Sequence, residues 1–241
     1  MQINAIIQAR MGSRRFPAKV MHEICGMPVL GYVIERVCRC HTISKVIVAT
    51  SDDPLDDTIE RYCQKQGITC FRGARDKVSA RFAAALQHYP CDGFIRVCAD
   101  SPLLDSLLVD RAVKMFSESP CDMVTNIMPR TYPRGQSVEV LKTDVFLATQ
   151  ADFTEPDDYE HVTRYFYRHP EQFAIYPFLS PVDLSTIRLC IDTYDDMEHV
   201  TALITMMKKP QWSYSLSEIL ELYHRINGGN AEGCVASACS T

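Results

Sequence analysis

Two spacings of apolar residues alternate through the first half of the chain, and together they predict a run of strands and helices. Short apolar runs typical of β-strands occupy residues 4–9, 45–50, 68–71, 93–99 and 122–125. Apolar residues recur at helical spacing in residues 28–40, 55–63, 77–88 and 105–117. Strands that alternate with helices are typical of a mostly parallel sheet covered by helices on both faces. We therefore predict an α/β fold.

One of these helices carries clear start and stop signals. Its apolar face consists of Leu55, Ile59, Tyr62 and Cys63. Asp53-Pro54 is typical of a helix start, and Gly67 is typical of a helix end. The sequence therefore predicts a helix between these signals.

The pattern changes after about residue 126, where prolines and a glycine introduce turns. A strand is predicted at 137–141, and helices are predicted at 143–151 and 159–169. A strand pattern returns at 186–191, a helical pattern follows at 197–207, and Ser215 with Glu218 forms a capping box before a last helix. We predict one domain over residues 1–227, with an insertion at roughly 126–185, and a flexible tail at 228–241.

Composition and charge narrow the classes of protein. A formal net charge of -5 disfavours a general nucleic-acid binder, which needs a surplus of Lys and Arg. No apolar run is long enough to span a bilayer, and the first segment does not resemble a signal peptide, so we predict a cytoplasmic protein without membrane contact. The 11 cysteines are scattered and odd in number, which indicates reduced thiols, and the absence of a CxxC pair disfavours structural zinc.

The strongest local feature is the basic loop from Gln8 to Lys19, which follows the first predicted strand. The loop contains Gly12 and four cationic residues: Arg10, Arg14, Arg15 and Lys19. A glycine-containing loop at the carboxyl end of a strand lets backbone N–H groups approach phosphate oxygens. The loop therefore predicts a polyanion site, with a solvated basic loop as the alternative. It matches neither the GxGxxG fingerprint nor the GxxxxGK[ST] P-loop.

Two aspartates follow predicted strands in the same way. Asp100 ends the strand at 93–99, and Asp192 ends the strand at 186–191. Carboxylates at this edge can hold Mg²⁺ together with substrate phosphates. The alternative for Asp100 is a cap on the turn before Pro102. Asp195 and Asp196 are explained more simply as residues favoured at a helix start.

These features, in this order, resemble the cytidylyltransferases of the spore-coat-polysaccharide type, which are related to CMP-sialate and CMP-KDO synthetases. The matching motifs are IIQARMGSRRFPAKV at 6–20, ATSDDPLDD at 49–57, FRG at 71–73, DKVSAR at 76–81, RVCADSP at 96–102, YPRGQSVEV at 132–140, EHVT at 160–163 and IDTYDDME at 191–198. The resemblance covers roughly residues 3–200. Arg14-Arg15-Phe16 departs from the Thr/Ser-Arg-Leu run of many relatives.

The resemblance implies a GT-A-like (Rossmann-like) nucleotide-diphospho-sugar transferase fold and a homodimer. It also implies that CTP and a sugar, of the ulosonic or nonulosonic acid type, give a CMP-sugar and pyrophosphate with Mg²⁺, for surface polysaccharide or glycan biosynthesis. The residues that it assigns to the triphosphate and nucleotide are Gln8, Ala9, Arg10, Gly12, Ser13, Lys19, Arg72, Arg81 and Asp100. Those that it assigns to the metal are Asp100 and Asp192, and to catalysis Arg10, Lys19, Asp100 and Asp192.

The inserted region is expected to hold the sugar and a dimer interface. The sugar-side candidates are Tyr132, Gly135, Glu139, Glu160 and His161. Structural roles remain open for these residues, and ion pairs remain open for Arg72 and Arg81. His161 is the candidate general base by motif context, although a lone histidine more often serves as a hydrogen-bonding residue.

Two other functions remain open from the sequence alone. A GT-A glycosyltransferase would share the sheet, metal and nucleotide site but would consume a nucleotide-sugar. The four cationic residues of the basic loop favour a free triphosphate over a diphosphate ester. A non-catalytic nucleotide-binding protein is the second alternative, and the presence of both Asp100 and Asp192 disfavours it.

Overall fold

The computed structural model describes residues 1–13 and 15–228. The strands are β1 (Ile3–Gln8), β2 (Glu23–Ile24), β3 (Met27–Pro28), β4 (Lys45–Ser51), β5 (Thr69–Gly73), β6 (Gly93–Cys98), β7 (Met123–Thr125), β8 (Glu139–Lys142) and β9 (Ile175–Pro177). The helices are α1 (Val29–Val37), α2 (Asp57–Gln66), α3 (Val78–His88), α4 (Ser106–Glu118), α5 (Thr143–Thr149), α6 (Pro156–Glu160), α7 (Arg164–Arg168), α8 (Tyr194–Thr205) and α9 (Leu216–Ile226). The predicted α/β class is confirmed.

Seven strands form one mixed sheet in the order β5-β4-β1-β6-β8-β7-β9. β5, β4, β1 and β6 are parallel, β8 is antiparallel to both of its neighbours, and β9 is parallel to β7. The parallel strands therefore all end at one edge of the sheet. The basic loop and Asp100 follow β1 and β6 at that edge.

Alternating side chains of β1 pack into two separate cores. Ile3, Ala5 and Ile7 belong to the core on one face, whereas Ile6 belongs to the core on the other. Successive strand residues point to opposite faces, so a strand that is buried on both sides is almost continuously apolar. Helices α1, α2, α4, α8 and α9 cover the first face, and α3, α5 and α7 cover the second.

The start and stop signals predicted for α2 act as expected, but Leu55, predicted on its apolar face, lies in the turn before the helix and is 65% exposed. The Asp53 carboxylate accepts a hydrogen bond from the Leu55 N–H and caps a 3-10 turn that leads into the helix. Gly67 ends the helix with φ of 68°, in the left-handed region that favours glycine. The capping box of Ser215 and Glu218 is also present at the start of α9.

The region predicted as an insertion contributes directly to the main sheet. β8 pairs with β6, and β9 extends the sheet beyond β7. The predicted helix at 159–169 is wrong in extent, because residues 161–163 separate α6 from α7. The chain is extended at His161, where α6 ends.

The predicted strand at 186–191 is also wrong. Ile187, Leu189 and Ile191 are buried and alternate with more exposed residues, which is the strand-like pattern seen in the sequence. Their backbone contacts the turn around Arg134, through a single bridge between Arg134 and Arg188, and the Ile191 N–H donates to the Asp100 carbonyl just beyond β6. The segment is therefore extended but outside the sheet.

The tail predicted to be flexible, apart from Gly228, lies outside the described residues. Among those that are described, no helix combines the length and the apolar composition needed to cross a membrane.

Gly135 allows the turn and the extended segment to come together. Its φ is 98°, and an added Cβ would lie 2.6 Å from the carbonyl carbon of Leu189 and 2.8 Å from the backbone nitrogen of Cys190. Gly26 also has a positive φ, of 81°, but an added Cβ there meets no atom within 4 Å. Comparing substitutions at the two glycines therefore distinguishes the cost of backbone strain from the cost of steric overlap.

We predict that Gly135→Ala lowers the free energy of unfolding by about 2–4 kcal/mol, because left-handed backbone strain and overpacking each cost about 1–3 kcal/mol. The matched Gly26→Ala carries only the strain, about 1–2 kcal/mol. Urea unfolding of both variants measures the difference. Equal losses would contradict the close approach at Gly135.

Candidate active site

The basic loop is held to the sheet by its own backbone. The Ala9 N–H donates to the Ala49 carbonyl of β4 at 3.2 Å, and the Ala18 N–H donates to the Met11 carbonyl at 2.9 Å. Ala18 has φ of 56° and reverses the chain before Lys19. The loop thus closes on itself just beyond the carboxyl end of β1.

A buried carboxylate anchors the middle of the loop. Asp56 is 1% exposed and accepts the Met11 N–H at 2.7 Å with one oxygen. Its other oxygen accepts both the backbone N–H and the hydroxyl of Ser51, at the end of β4. One side chain therefore fixes the loop relative to a neighbouring strand.

Lys19 joins three parts of the chain at the end of the loop. Its ammonium lies 2.6 Å from the Asp100 carboxylate and 2.9 Å from the Asp192 carboxylate, and it also donates to the Ile191 carbonyl at 2.8 Å. The Lys19 side chain is only 12% exposed. The structure thus brings together both predicted metal-binding aspartates, with Lys19 between them.

The charges of this group stabilise one another. Burial alone would lower the pKa of Lys19, but the charges of Asp100 and Asp192 and their hydrogen bonds outweigh it, and the pKa is raised. Burial acts to raise the pKa of Asp192, but Lys19, Arg15 and Arg188 outweigh it and lower that pKa. Lys19 and Asp192 are therefore both ionised at neutral pH.

Arg10, Gly12 and Arg15 of the loop are exposed. Arg15 lies 3.1 Å from Asp192, and Arg10 lies 3.7 Å from Glu160. The Ser13 hydroxyl accepts a long hydrogen bond, 3.4 Å, from the Phe16 N–H. Gly12 is exposed, and an added Cβ there would meet open space. Phosphate binding by these residues stays a prediction.

A pocket of about 160 Å³ opens on the other side of the aspartate pair. Asp100 and Asp192 line it, as do Glu139 and Gly135. Its lining also includes four arginines: Arg96, Arg130, Arg134 and Arg188. The aspartate pair therefore separates the basic loop from a second, arginine-rich space.

A buried ion pair lies in this pocket. Arg96 contacts Glu139 at 2.8 Å and donates to the side-chain oxygen of Gln8 at 3.3 Å. The Tyr167 hydroxyl donates to the other oxygen of Glu139 at 2.7 Å, and it also contacts Thr125. Each oxygen of the Glu139 carboxylate is thereby engaged within the protein.

Two thiols lie beside the aspartates. Cys98 and Cys190 each precede one of the aspartates by two residues and line the pocket. Burial raises the pKa of Cys98 to about 11 and that of Cys190 to about 12. Both thiols stay protonated at neutral pH, so they do not act as nucleophiles.

The predicted sugar-side residues separate into two groups. Gly135 and Glu139 line the pocket, whereas Tyr132, Glu160 and His161 do not. The Tyr132 ring packs against Phe178, and its hydroxyl contacts Arg111 and the Leu179 carbonyl, which gives it a structural role. Glu160 and His161 are exposed at the end of α6.

Arg72 forms the ion pairs that the sequence leaves open for it, whereas the partners of Arg81 are backbone carbonyls. Arg72 pairs with Asp57 at 2.6 Å and Glu60 at 2.8 Å, and it also donates to two backbone carbonyls. Arg81 is 1% exposed and donates to the Ala74 carbonyl at 2.8 Å. Its Nε and Nη2 atoms have no partner among the described residues. A nucleotide contact from either arginine stays a prediction.

The pocket arginines are not among the site residues predicted from the sequence. Arg96 could have been predicted as a site residue, because it is a charged residue inside the apolar strand β6. Arg188 also gives one, because it precedes Asp192 by four residues and contacts it at 3.1 Å. Arg130 and Arg134 lie in irregular chain, where no periodicity indicates which way a side chain points.

Comparison with protein families gives a match to the family described as Cytidylyltransferase, over residues 4–231. The chain is 32% identical over 228 residues to spore coat polysaccharide biosynthesis protein SpsF of Bacillus subtilis, covering 91% of this chain and 93% of that protein. It is 28% identical over 181 residues to 3-deoxy-manno-octulosonate cytidylyltransferase of Geobacter sulfurreducens, covering 72% of this chain and 64% of that protein.

Solved structures give the same result. A cytidylyltransferase from Leptospira borgpetersenii is similar with a TM-score of 0.90 and 28% identity, over 95% of this chain and 96% of that chain. A CMP:2-keto-3-deoxy-manno-octonic acid synthetase complexed with CTP shares the fold, with a TM-score of 0.68 and 20% identity, over 85% of this chain and 99% of that chain. This chain belongs to the cytidylyltransferase family and is a CTP-using nucleotidyltransferase.

Proposed function

We propose that this enzyme transfers CMP from CTP to a hydroxyl group of a sugar acid, giving a CMP-sugar and pyrophosphate. One observation carries the proposal: the pair of Asp100 and Asp192 has the basic loop on one side and the arginine-rich pocket on the other. A two-substrate transfer needs such a division, because the triphosphate and the acceptor must meet at one phosphorus atom. The loop is the side for CTP, and the pocket is the side for the acceptor.

The chemistry requires charge stabilisation and positioning. The acceptor hydroxyl attacks the α-phosphorus, the bond from that phosphorus to the bridging oxygen of pyrophosphate breaks, and the hydroxyl proton leaves. Arg10, Lys19 and the N–H groups near Gly12 and Ser13 neutralise the departing pyrophosphate. The protonated thiols of Cys98 and Cys190 agree with a direct transfer that needs no covalent enzyme intermediate.

The donor set at Asp100 and Asp192 fits a divalent cation. Mg²⁺ prefers oxygen ligands and is usually held by one or two carboxylates together with substrate phosphates. Within residues 1–13 and 15–228, no cluster of three or more His, Cys, Asp or Glu side chains is arranged to hold a metal ion, so the phosphates must supply further ligands. Bound to Asp100 and Asp192, a divalent cation would neutralise charge on the α-phosphate.

Lys19 and a cation compete for the same carboxylate oxygens. The Lys19 ammonium contacts one oxygen of each aspartate. A second positive charge at that pair repels the ammonium, and the phosphates of CTP offer it another anionic partner. We propose that Lys19 holds the aspartates together before CTP binds and contacts the phosphates afterwards.

The relatives support the acceptor class. The 3-deoxy-manno-octulosonate cytidylyltransferase of Geobacter sulfurreducens is named for a sugar acid, and the SpsF protein is named for polysaccharide biosynthesis. An acidic acceptor also agrees with the arginines of the pocket. The homodimer and the cytoplasmic location that the sequence predicts stay predictions.

The test of this function is a pyrophosphate-release assay that crosses four nucleoside triphosphates with sugar acids, neutral sugars and sugar phosphates, with and without Mg²⁺ or Mn²⁺. We expect release only with CTP, a sugar acid and a divalent cation, and a CMP-sugar identified by mass spectrometry. A parallel incubation with nucleotide-sugars tests the glycosyltransferase alternative. CTP binding without release for any acceptor would favour a non-catalytic protein.

We predict that Asp100→Asn and Asp192→Asn each lower cation-dependent turnover by about 100-fold or more, because a charged ligand at the reacting phosphate is lost. Both aspartates are about a quarter exposed, so the fold should persist, and circular dichroism checks this. Asp195→Asn is the matched control, since Asp195 is exposed on α8. Turnover at the level of the control in both variants would overturn the metal assignment.

We predict that Asp56→Asn raises the KM for CTP and lowers the free energy of unfolding by about 2 kcal/mol, because an amide cannot accept all three hydrogen bonds. Hydrogen exchange at the Met11 amide should become faster. Asp110→Asn is the control, because the Asp110 carboxylate also accepts three hydrogen bonds, from the backbone of His41 and Thr42 and from the Thr42 hydroxyl, none of which belongs to the basic loop. An unchanged KM for CTP together with protected exchange at Met11 would show that Asp56 does not position the loop.

A further inference from the structure

Two of the four pocket arginines differ from the others in their partners. Arg96 pairs with Glu139, and Arg188 pairs with Asp192 at 3.1 Å and Asp196 at 3.6 Å. Arg130 and Arg134 form no ion pair with any acidic residue of the described part of the chain. The pocket therefore holds two positive charges that the protein itself does not neutralise.

The neighbouring charges do not remove this excess. Lys19 is matched by Asp100 and Asp192, and Glu139 is matched by Arg96. Burial lowers the pKa of Arg130 and repulsion from Arg134 lowers it further, and together they outweigh the attraction of Glu139. The two guanidinium groups remain charged, since arginine does not lose its proton near neutral pH. Placing uncompensated charges together in a partly buried space costs free energy, which an anionic ligand would recover.

The two arginines are held in place by neutral groups. Both Nη atoms of Arg130 donate to the Ser137 hydroxyl at 3.1 Å, which orients the guanidinium without neutralising it. The Arg134 backbone bonds to Ile187 and Leu189 at 2.9 and 2.7 Å. The positive φ of the neighbouring Gly135 permits this close approach. The two guanidinium groups thus line the pocket as cations that no carboxylate of the described residues pairs with.

We propose that Arg130 and Arg134 form an oxyanion seat for the acceptor and select acceptors that carry an anionic group. The inference rests on the proposed function for the identity of the reaction, and it adds two residues that determine specificity. The seat is separate from the described part of the basic loop, because residues 8–13 and 15–18 do not line the pocket. Loss of the seat should therefore affect the acceptor and leave CTP binding intact.

A carboxylate and a phosphate share the chemistry that this seat recognises. Two guanidinium groups can bind either oxyanion through charge-assisted hydrogen bonds. The acidic Glu139 nearby and the small pocket favour a monoanionic carboxylate over a dianionic phosphate. The experiment therefore compares a sugar acid, a sugar phosphate and a neutral sugar of similar size.

The first measurement is binding, which does not require turnover. Arginine side chains of the full chain are labelled with ¹⁵N, and the Nε–H resonances of Arg130 and Arg134 are assigned from the Arg130→Gln and Arg134→Gln variants. The labelled protein is titrated with 3-deoxy-manno-octulosonate, N-acetylneuraminate, mannose 6-phosphate and mannose. We expect both resonances to shift with a sugar acid and not with mannose, and the Arg61 resonance to stay unchanged.

The second measurement is steady-state kinetics with the sugar acid that gives the highest turnover. Each of Arg130→Gln and Arg134→Gln should raise the KM for the acid by about 10-fold or more, which corresponds to one lost charge-assisted contact, and should leave the KM for CTP within about 2-fold. Arg134→Lys should recover part of the loss. Arg61→Gln, on the exposed side of α2, is the matched control.

The outcomes separate the seat from the reaction. If the Arg130 and Arg134 resonances shift with a sugar acid but no pyrophosphate is released, the proposed function is overturned and the seat is supported. Shifts with mannose 6-phosphate alone would replace the carboxylate by a phosphate as the group bound. If no acid or phosphate perturbs either arginine, or if both variants keep the wild-type KM for the acid, the seat is overturned. Because Arg134 is exposed, Arg134→Gln tests the seat even if Arg130→Gln fails to fold.

Discussion

The Lys19 ammonium between Asp100 and Asp192 is the contact on which the geometry of the site depends. Asp100 and Asp192 lie 81 and 173 positions after Lys19 in the chain. Their contact with Lys19 fixes the end of the basic loop against the carboxyl end of β6 and the start of α8. A mostly buried ammonium is stable only with anionic partners, and two adjacent carboxylates are stable only with a cation. Each of the three charged groups is therefore stable at this position because its partners of opposite charge are there.

This three-residue contact also explains the division of the site. The loop side presents Arg15 and Arg10 toward solvent, whereas the pocket side presents Arg130 and Arg134. A net charge of -5 over the whole chain does not describe either side, because several positive residues lie around one carboxylate pair. Local arrangement, and not net charge, decides which ligands such a protein attracts.

The sequence predicted the parts of the structure that local chemistry determines. Gly67 ends α2, and Ser215 begins the last helix, because caps act within a few residues of themselves. The α/β class and the family resemblance are also confirmed. The meeting of Asp100 with Asp192 was expected from their positions after strand-like runs, and the structure brings them together, although the run before Asp192 is outside the sheet.

The errors have a common physical cause, which is that periodicity shows burial but not the partner. Ile187, Leu189 and Ile191 alternate as in a strand, yet they pack beside the turn at Arg134, a contact made by residues more than fifty positions apart. The sugar-side role of Tyr132 is not among these errors and stays a prediction, although its ring packs in the core next to Phe178. Only tertiary contacts distinguish these outcomes.

Arg130 and Arg134 were not predicted as site residues for the same reason. Neither residue lies in a strand or helix, and the motif around Tyr132 to Val140 draws attention to its aromatic and acidic members. Their distinction is a missing ion pair, which is a property of the folded chain. A protein that surrounds a carboxylate pair with matched charges on one side, and leaves two arginines unmatched on the other, has its electrostatic balance completed by a ligand. This is the basis on which we propose the acceptor as the partner of those two arginines.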